Sequence, residues 1–163
     1  MLGFVESHLE SKQVSRIVYG AIIGLALVVA LESHPPPPGV MVATVLGTAV
    51  AVGLAEIYSE TLGTEVRTRR RVERDTMRAM WTDTAAVVFG VGFPATFFVV
   101  AAIGAIDADT AFDLAKWCGL GLIGFYGFIA ARLSGARLAT AVVKGLTAAL
   151  IGAFLIALKA LVH

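Results

Sequence analysis

Apolar residues along the chain fall into five blocks, each closed by charge, proline or aspartate clusters. A helix rises about 1.5 Å per residue and a hydrocarbon core is about 30 Å thick, so such blocks read as bilayer crossings. The first block, Ile17 to Leu31, is uncharged between Arg16 and Glu32. It covers only about 23 Å, and therefore spans only if its helix starts earlier and Arg16 reaches back to the surface. The second runs from Val40 to Ala55, after the prolines Pro35 to Pro38 and before Glu56 and Glu60. Four successive prolines exclude a helix between the first two blocks. The third extends from Thr84 to Ile106, and Pro94, following Gly90 and Gly92, predicts a kink near its middle. The fourth runs from Trp117 to Ala131 and the fifth from Leu138 to Val162, with Lys144 and Lys159 inside it. Lys144 is expected to snorkel to the nearer surface.

Residues 1–15 place Leu2, Phe4, Val5 and Leu9 among Glu6, Glu10 and Lys12. They read as a short amphipathic helix lying on the membrane, with a frayed tail as the alternative. A signal peptide fits less well, because four more apolar blocks follow and no cleavage site is convincing. The expected organisation is therefore an N-terminal segment followed by one all-α transmembrane domain over 16–163, with a basic loop over 64–80.

Composition agrees with lipid as the solvent. The 163 residues are 58% hydrophobic and only 15% charged, with a mean hydropathy of +0.84. A soluble domain carries about 25% charged residues. A single cysteine, Cys118, excludes an internal disulfide. The net charge of +1 conceals a strong asymmetry. Lys12 and Arg16 precede the first block, Arg67, Arg69, Arg70, Arg71, Arg74 and Arg78 separate the second from the third, and Arg132 and Arg137 separate the fourth from the fifth. The opposite connections hold Glu32, His34, Asp107, Asp109 and Asp113, with Lys116 as their one base. The positive-inside rule then puts the N-terminus in the cytoplasm and the C-terminus outside.

Few residues have candidate chemistry. Glu56 and Glu60 lie one turn apart on one helix face, about 24 Å along the axis from Val40, and Asp83 opens the third block at a similar depth. Carboxylates at depth mark ion or proton pathways, and Met77 and Met80 nearby would add soft ligands for a transient divalent cation. The competing reading pairs these carboxylates with adjacent arginines. The run TEVRTRRRVERDTMR fits anionic lipid headgroups, at about 1 kcal/mol per base; without interleaved aromatics it does not read as nucleic-acid binding. Tyr19, Tyr58, Trp81 and Trp117 suit interfacial anchoring, and His8, His34 and His163 lack metal-ligand spacing. Phosphate-binding, nucleophile-elbow and zinc-protease motifs are missing, so the chain does not read as an enzyme and no cofactor is implied. Glycine-rich helices, with Gly20 and Gly24, Gly119 to Gly127, and Gly145 and Gly152, indicate close helix packing and oligomerisation.

Three segments together resemble the vacuolar iron transporter family. FIAARLSGARLATAVVKGLTAALIGAF, from Phe128 to Phe154, is similar to its last two helices with an A-R-x-S-G turn. GLAEIYSETLG, from Gly53 to Gly63, is similar to its G-L-G-E-Y-x-S stretch and places Glu56 and Ser59 on the family's glutamate and serine. YGAIIGLALVVAL, from Tyr19 to Leu31, corresponds to its first helix. The resemblance implies a dimeric five-helix cation transporter in a membrane, here expected to be the plasma membrane of a prokaryote. Ile23 stands where the family has an aspartate, and Thr44 and Val52 where it has a pathway glutamate and methionine. A short basic connection replaces a long glutamate-rich one. Two functions follow: transport of a small cation, divalent metal or proton, with altered specificity and Glu56 as its site, or a non-transporting scaffold or accessory subunit that binds lipid or a protein.

Overall fold

The computed structural model describes the backbone of residues 2–162 and the side chains of residues 13–158. Six helices follow one another: α1 (Leu2–Leu31), α2 (Pro38–Thr68), α3 (Arg74–Gly92), α4 (Ala95–Ala102), α5 (Ala108–Leu133) and α6 (Leu138–Val162). Among the described residues there is no strand. Four helices are long and apolar enough to cross a membrane, and α3 with α4, bent by 48° at their break, passes the same test as a pair, as a broken span or a re-entrant loop. The protein is an all-helical chain that fits a multi-pass membrane protein. The bend falls at Phe93 and Pro94, where proline lacks the N–H that would continue the ladder.

Three boundaries differ from the sequence expectations. α1 runs unbroken from Leu2, so its backbone shows no division at residue 15. Neither proline nor glycine stands between Phe4 and Tyr19 to interrupt it. The amphipathic face expected for residues 1–15 rests on side chains of residues 1–12, and these, with those of His8, Lys159 and His163, lie outside the described residues. The last of the four prolines, Pro38, is the first residue of α2, because the first helical position needs no N–H partner. The expected loop over 64–80 is mostly helix: α2 continues to Thr68 and α3 begins at Arg74, leaving only 69–73 between them. That stretch has no glycine or proline, and Arg, Glu and Met favour helix. Arg69 stops α2 in the left-handed conformation at φ 53°, its N–H donating to the Glu65 carbonyl at 2.8 Å.

α1 is the centre of the bundle. It packs against α3 on one side and α5 on the other, with α2 behind α3 and α6 behind α5. Leu25 and Val28 of α1 are fully buried. At the Glu32 end, Val28, Met41, Val45, Phe98, Ala111 and Phe112 form one apolar cluster, with Phe98 and Phe112 edge to face at 5.0 Å between centroids. Toward the Arg16 end, Ile23, Val52 and Val88 pack on Ala49, Val87 and Val91.

Close backbone approach makes the central contact. A Cβ on Gly90 of α3 would lie 2.5 Å from the Ile17 carbonyl oxygen and 2.6 Å from the Ala21 nitrogen of α1, and one on Gly20 would collide with the Val87 carbonyl. Backbone atoms cannot swing aside as a flexible side chain can. Gly90→Ala is therefore expected to destabilise the fold by about 1–3 kcal/mol in detergent thermal unfolding. Gly121→Ala on α5, with nothing within 4 Å, is expected to be neutral or to gain up to about 1 kcal/mol of helix propensity.

Candidate functional site

The three carboxylates singled out in the sequence converge on one cation. Glu56 and Glu60 come from consecutive turns of α2 and Asp83 from the second half of the first three turns of α3, while Arg16 projects between them from α1. Each guanidinium nitrogen faces a different carboxylate. Arg16 Nη1 donates to Glu56 Oε1, Nη2 donates to Glu60 Oε2 at 3.0 Å, and Nε lies 3.6 Å from Asp83 Oδ2. The Asp83 side chain is 6% exposed and that of Arg16 15% exposed. Guanidinium geometry explains the choice of residue, since a planar fork can serve several acceptors at once where an ammonium offers a point charge. Among the described residues, Arg16 is the cation that these three carboxylates share. Beside it opens a polar hollow of about 300 Å³ lined by Arg16, Glu56, Ser59, Glu60, Gly63 and Arg67. Next to Asp83, the buried Thr84 hydroxyl has no hydrogen-bond partner among the described residues, and its methyl faces Gly53.

This arrangement matches the pairing alternative more closely than metal coordination. The guanidinium stands where a metal ion would, and among the described residues no group of three or more His, Cys, Asp or Glu is placed to hold one. Met80 is buried against α2, with the Thr61 hydroxyl 3.8 Å from its sulfur, and Met77 is half-buried. The structure does not assemble them with the carboxylates into a ligand set. The partner itself, Arg16, was expected at the bilayer surface; the available signal was its position at the edge of a block too short to span alone.

Of the arginines proposed for headgroups, Arg67 turns toward the hollow and the Thr64 hydroxyl. Arg69, Arg70, Arg71, Arg74 and Arg78 are exposed, and among the described residues none is paired with a carboxylate. Arg70 and Arg71 line a polar hollow of about 450 Å³ with Thr64, Thr68, Glu73 and Thr76, at the start of α3. Lys144 is exposed, in keeping with snorkelling.

A second cluster, not foreseen from the sequence, lies at the other end of α1. Lys116 Nζ of α5 donates to Glu32 Oε1 at 2.6 Å and lies 3.0 Å from Asp113 Oδ1. Just outside it, Asp107 caps α5, accepting from the Thr110 N–H at 2.7 Å and from its hydroxyl at 2.9 Å. These bonds, the backbone one foremost, hold its carboxyl below the usual carboxylate range. The cap is thus complete at neutral pH and weakens as pH falls through that lowered value.

No protein-family model, curated protein or solved structure matches the chain. Its class therefore rests on its own features: apolar helices long enough to span a membrane, with ion pairs at both ends of the apolar part of α1.

Arg16 meets three carboxylates, so its loss removes three contacts at once, whereas removing one carboxylate leaves it two partners. Arg16→Met is expected to destabilise by about 2–4 kcal/mol in detergent unfolding, a value discounted for the partial exposure of both glutamates. Glu60→Gln is expected to stay within about 1 kcal/mol of wild type, since it also relieves repulsion between like charges.

Proposed function

We propose that the chain is a five-span membrane protein with the arrangement of the vacuolar iron transporters, working as a non-conducting scaffold that binds anionic lipid headgroups. Its N-terminus and the basic α2–α3 turn are assigned to the cytoplasm by the positive-inside rule, in the plasma membrane of a prokaryote. The resemblance gains support from the A-R-x-S-G turn, which falls between α5 and α6 with Gly135 at φ 80°. The observation carrying the scaffold reading is the apolar packing of Ile23 and Val52 beyond Glu56, together with an Arg16 that already occupies the carboxylates. A dication approaching this site must displace a guanidinium and then cross a hydrocarbon layer. The five exposed arginines without carboxylate partners supply the headgroup contacts.

A transport reading has one observation in its favour, the open polar hollow that Glu56 and Glu60 line. A proton is the cargo that suits it, because a proton can join a carboxylate without displacing Arg16. Reconstituted vesicles decide between the two. The scaffold reading expects Fe2+, Mn2+ and proton fluxes equal to those of empty vesicles, and flotation with phosphatidylglycerol vesicles that weakens on substituting Arg70 and Arg71 by Gln. Flux that Glu56→Gln abolishes would replace it with the transport reading.

The assembly proposed is a homodimer through α2. Gly39, Ala43, Gly47, Ala51, Ala55, Ser59 and Gly63 recur every four residues and are all exposed. Gly39, Gly47 and Gly63 have nothing within 4 Å, whereas Gly20, Gly90 and Gly145 meet another helix's backbone. A stripe of this spacing packs on its own copy by close backbone approach. Gly47→Leu is expected to convert a dimer to a monomer in detergent light scattering, while Leu150→Ala on the exposed face of α6 leaves the mass unchanged.

A further inference from the structure

The two ion-pair clusters bracket the apolar second half of α1. Arg16 and Glu32 are sixteen residues apart, a rise of about 24 Å. The neighbouring α5 repeats that spacing in the opposite direction. Lys116, which binds Glu32, lies sixteen residues from Arg132, again about 24 Å. On α2, Pro38 to Glu56 covers about 27 Å, and on α6 the uncharged run Gly145 to Leu158 covers about 20 Å. Tilt would shorten each of these spans further. The apolar slab is thus set by four helices, and it is thinner than the about 30 Å of an ordinary hydrocarbon core.

Aromatic side chains mark the same two levels. Tyr19, Tyr58 and Trp81, all more than half exposed, stand beside Arg16, between Glu56 and Glu60, and two residues before Asp83. Trp117, 71% exposed, follows Lys116. Such amphipathic rings settle at headgroup level, which puts both ion-pair layers at the boundaries of the slab. Usual remedies for a short span are closed off here. A lysine or arginine with a free head can snorkel outward, but Arg16 and Lys116 are tied to carboxylates on other helices, whose shorter side chains cannot follow. Lys144, exposed on α6 within two turns of Leu138, is a further charge that a thinner bilayer brings nearer to water.

We propose that the partner this surface fits is a bilayer with a hydrocarbon core of about 24 Å, and that in thicker membranes the protein thins the lipid around it. The inference rests on the chain spanning a membrane and is independent of whether it conducts. The test uses the whole chain in dimyristoyl, dioleoyl and dierucoyl phosphatidylcholine vesicles, with flotation confirming insertion and circular dichroism following helix loss on heating. The unfolding midpoint is expected to be highest in dimyristoyl lipid and lower by about 5 °C or more in dierucoyl lipid. Equal midpoints, or the highest midpoint in dierucoyl lipid, would overturn the proposal. A protein that does not float with any vesicle would instead overturn the membrane reading and the proposal together. The triple variant Glu32→Gln, Asp113→Asn, Lys116→Met removes this ion-pair cluster and lengthens the slab. Its optimum is expected to move to dioleoyl lipid, whereas an equal loss in all three lipids would make the ion pair purely structural and count against a thickness match.

Discussion

The Arg16 guanidinium is the constraint on which the rest depends. A cation at the end of a short apolar block is tolerated in a poorly hydrated setting only when its donors are used. Its three nitrogens face carboxylates on α2 and α3, so one side chain fixes the mutual position of three helices. Sixteen residues on, Glu32 does the same toward α5 through Lys116. α1 is thereby tied at its middle and at its C-terminal end to different neighbours, and its position at the centre of the bundle follows from that as much as from its apolar faces. Glycine completes the arrangement. Between the two charged layers, water-driven association has no role in lipid, and the Gly20 and Gly90 contact lets the α1 and α3 backbones meet where larger residues would hold them apart.

Charge balance decides what the site can do. Three carboxylates gathered at one level suit a cation, and Arg16 meets all three. Geometry works against a metal, because the ligands are already turned toward Arg16 and the volume beyond them is filled by Ile23, Val52, Val87 and Val91. What remains accessible is the hollow on the Ser59 and Gly63 side, which faces the end of the membrane rather than its middle. The two functional readings thus differ over one question: whether the carboxylates serve a structural clamp alone or also take up protons.

The helical class, the candidate spans and the break at Pro94 were legible because each depends on local sequence: uncharged run length, and a residue without an N–H. Glu56, Glu60 and Asp83 were legible as a group for the same reason, since their depth follows from counting along two helices. Their common partner was not, because placing Arg16 among them requires knowing that α1 lies against both α2 and α3, a tertiary fact with no local signature. Lys116 and Glu32 were separated for a related reason. Eighty-four residues divide them, and each reads alone as an ordinary interfacial charge. The basic connection over 64–80 is mostly helix rather than loop because Arg and Glu are good helix formers and the stretch holds no glycine or proline; α2 ends where Arg69 adopts the left-handed conformation.

That helical connection has a physical consequence for the cytoplasm-assigned end. α2 continues about four turns past Ala55, so Glu56, Glu60 and Arg67 ride on one helix rather than on a flexible segment. The pairing of Arg16 at one level of that helix thus sets the height of Arg67 and of the α2–α3 turn at the next. Under the scaffold reading proposed above, a lipid phosphate drawn to Arg70 and Arg71, just past the end of α2, would act on the same helix that Arg16 holds.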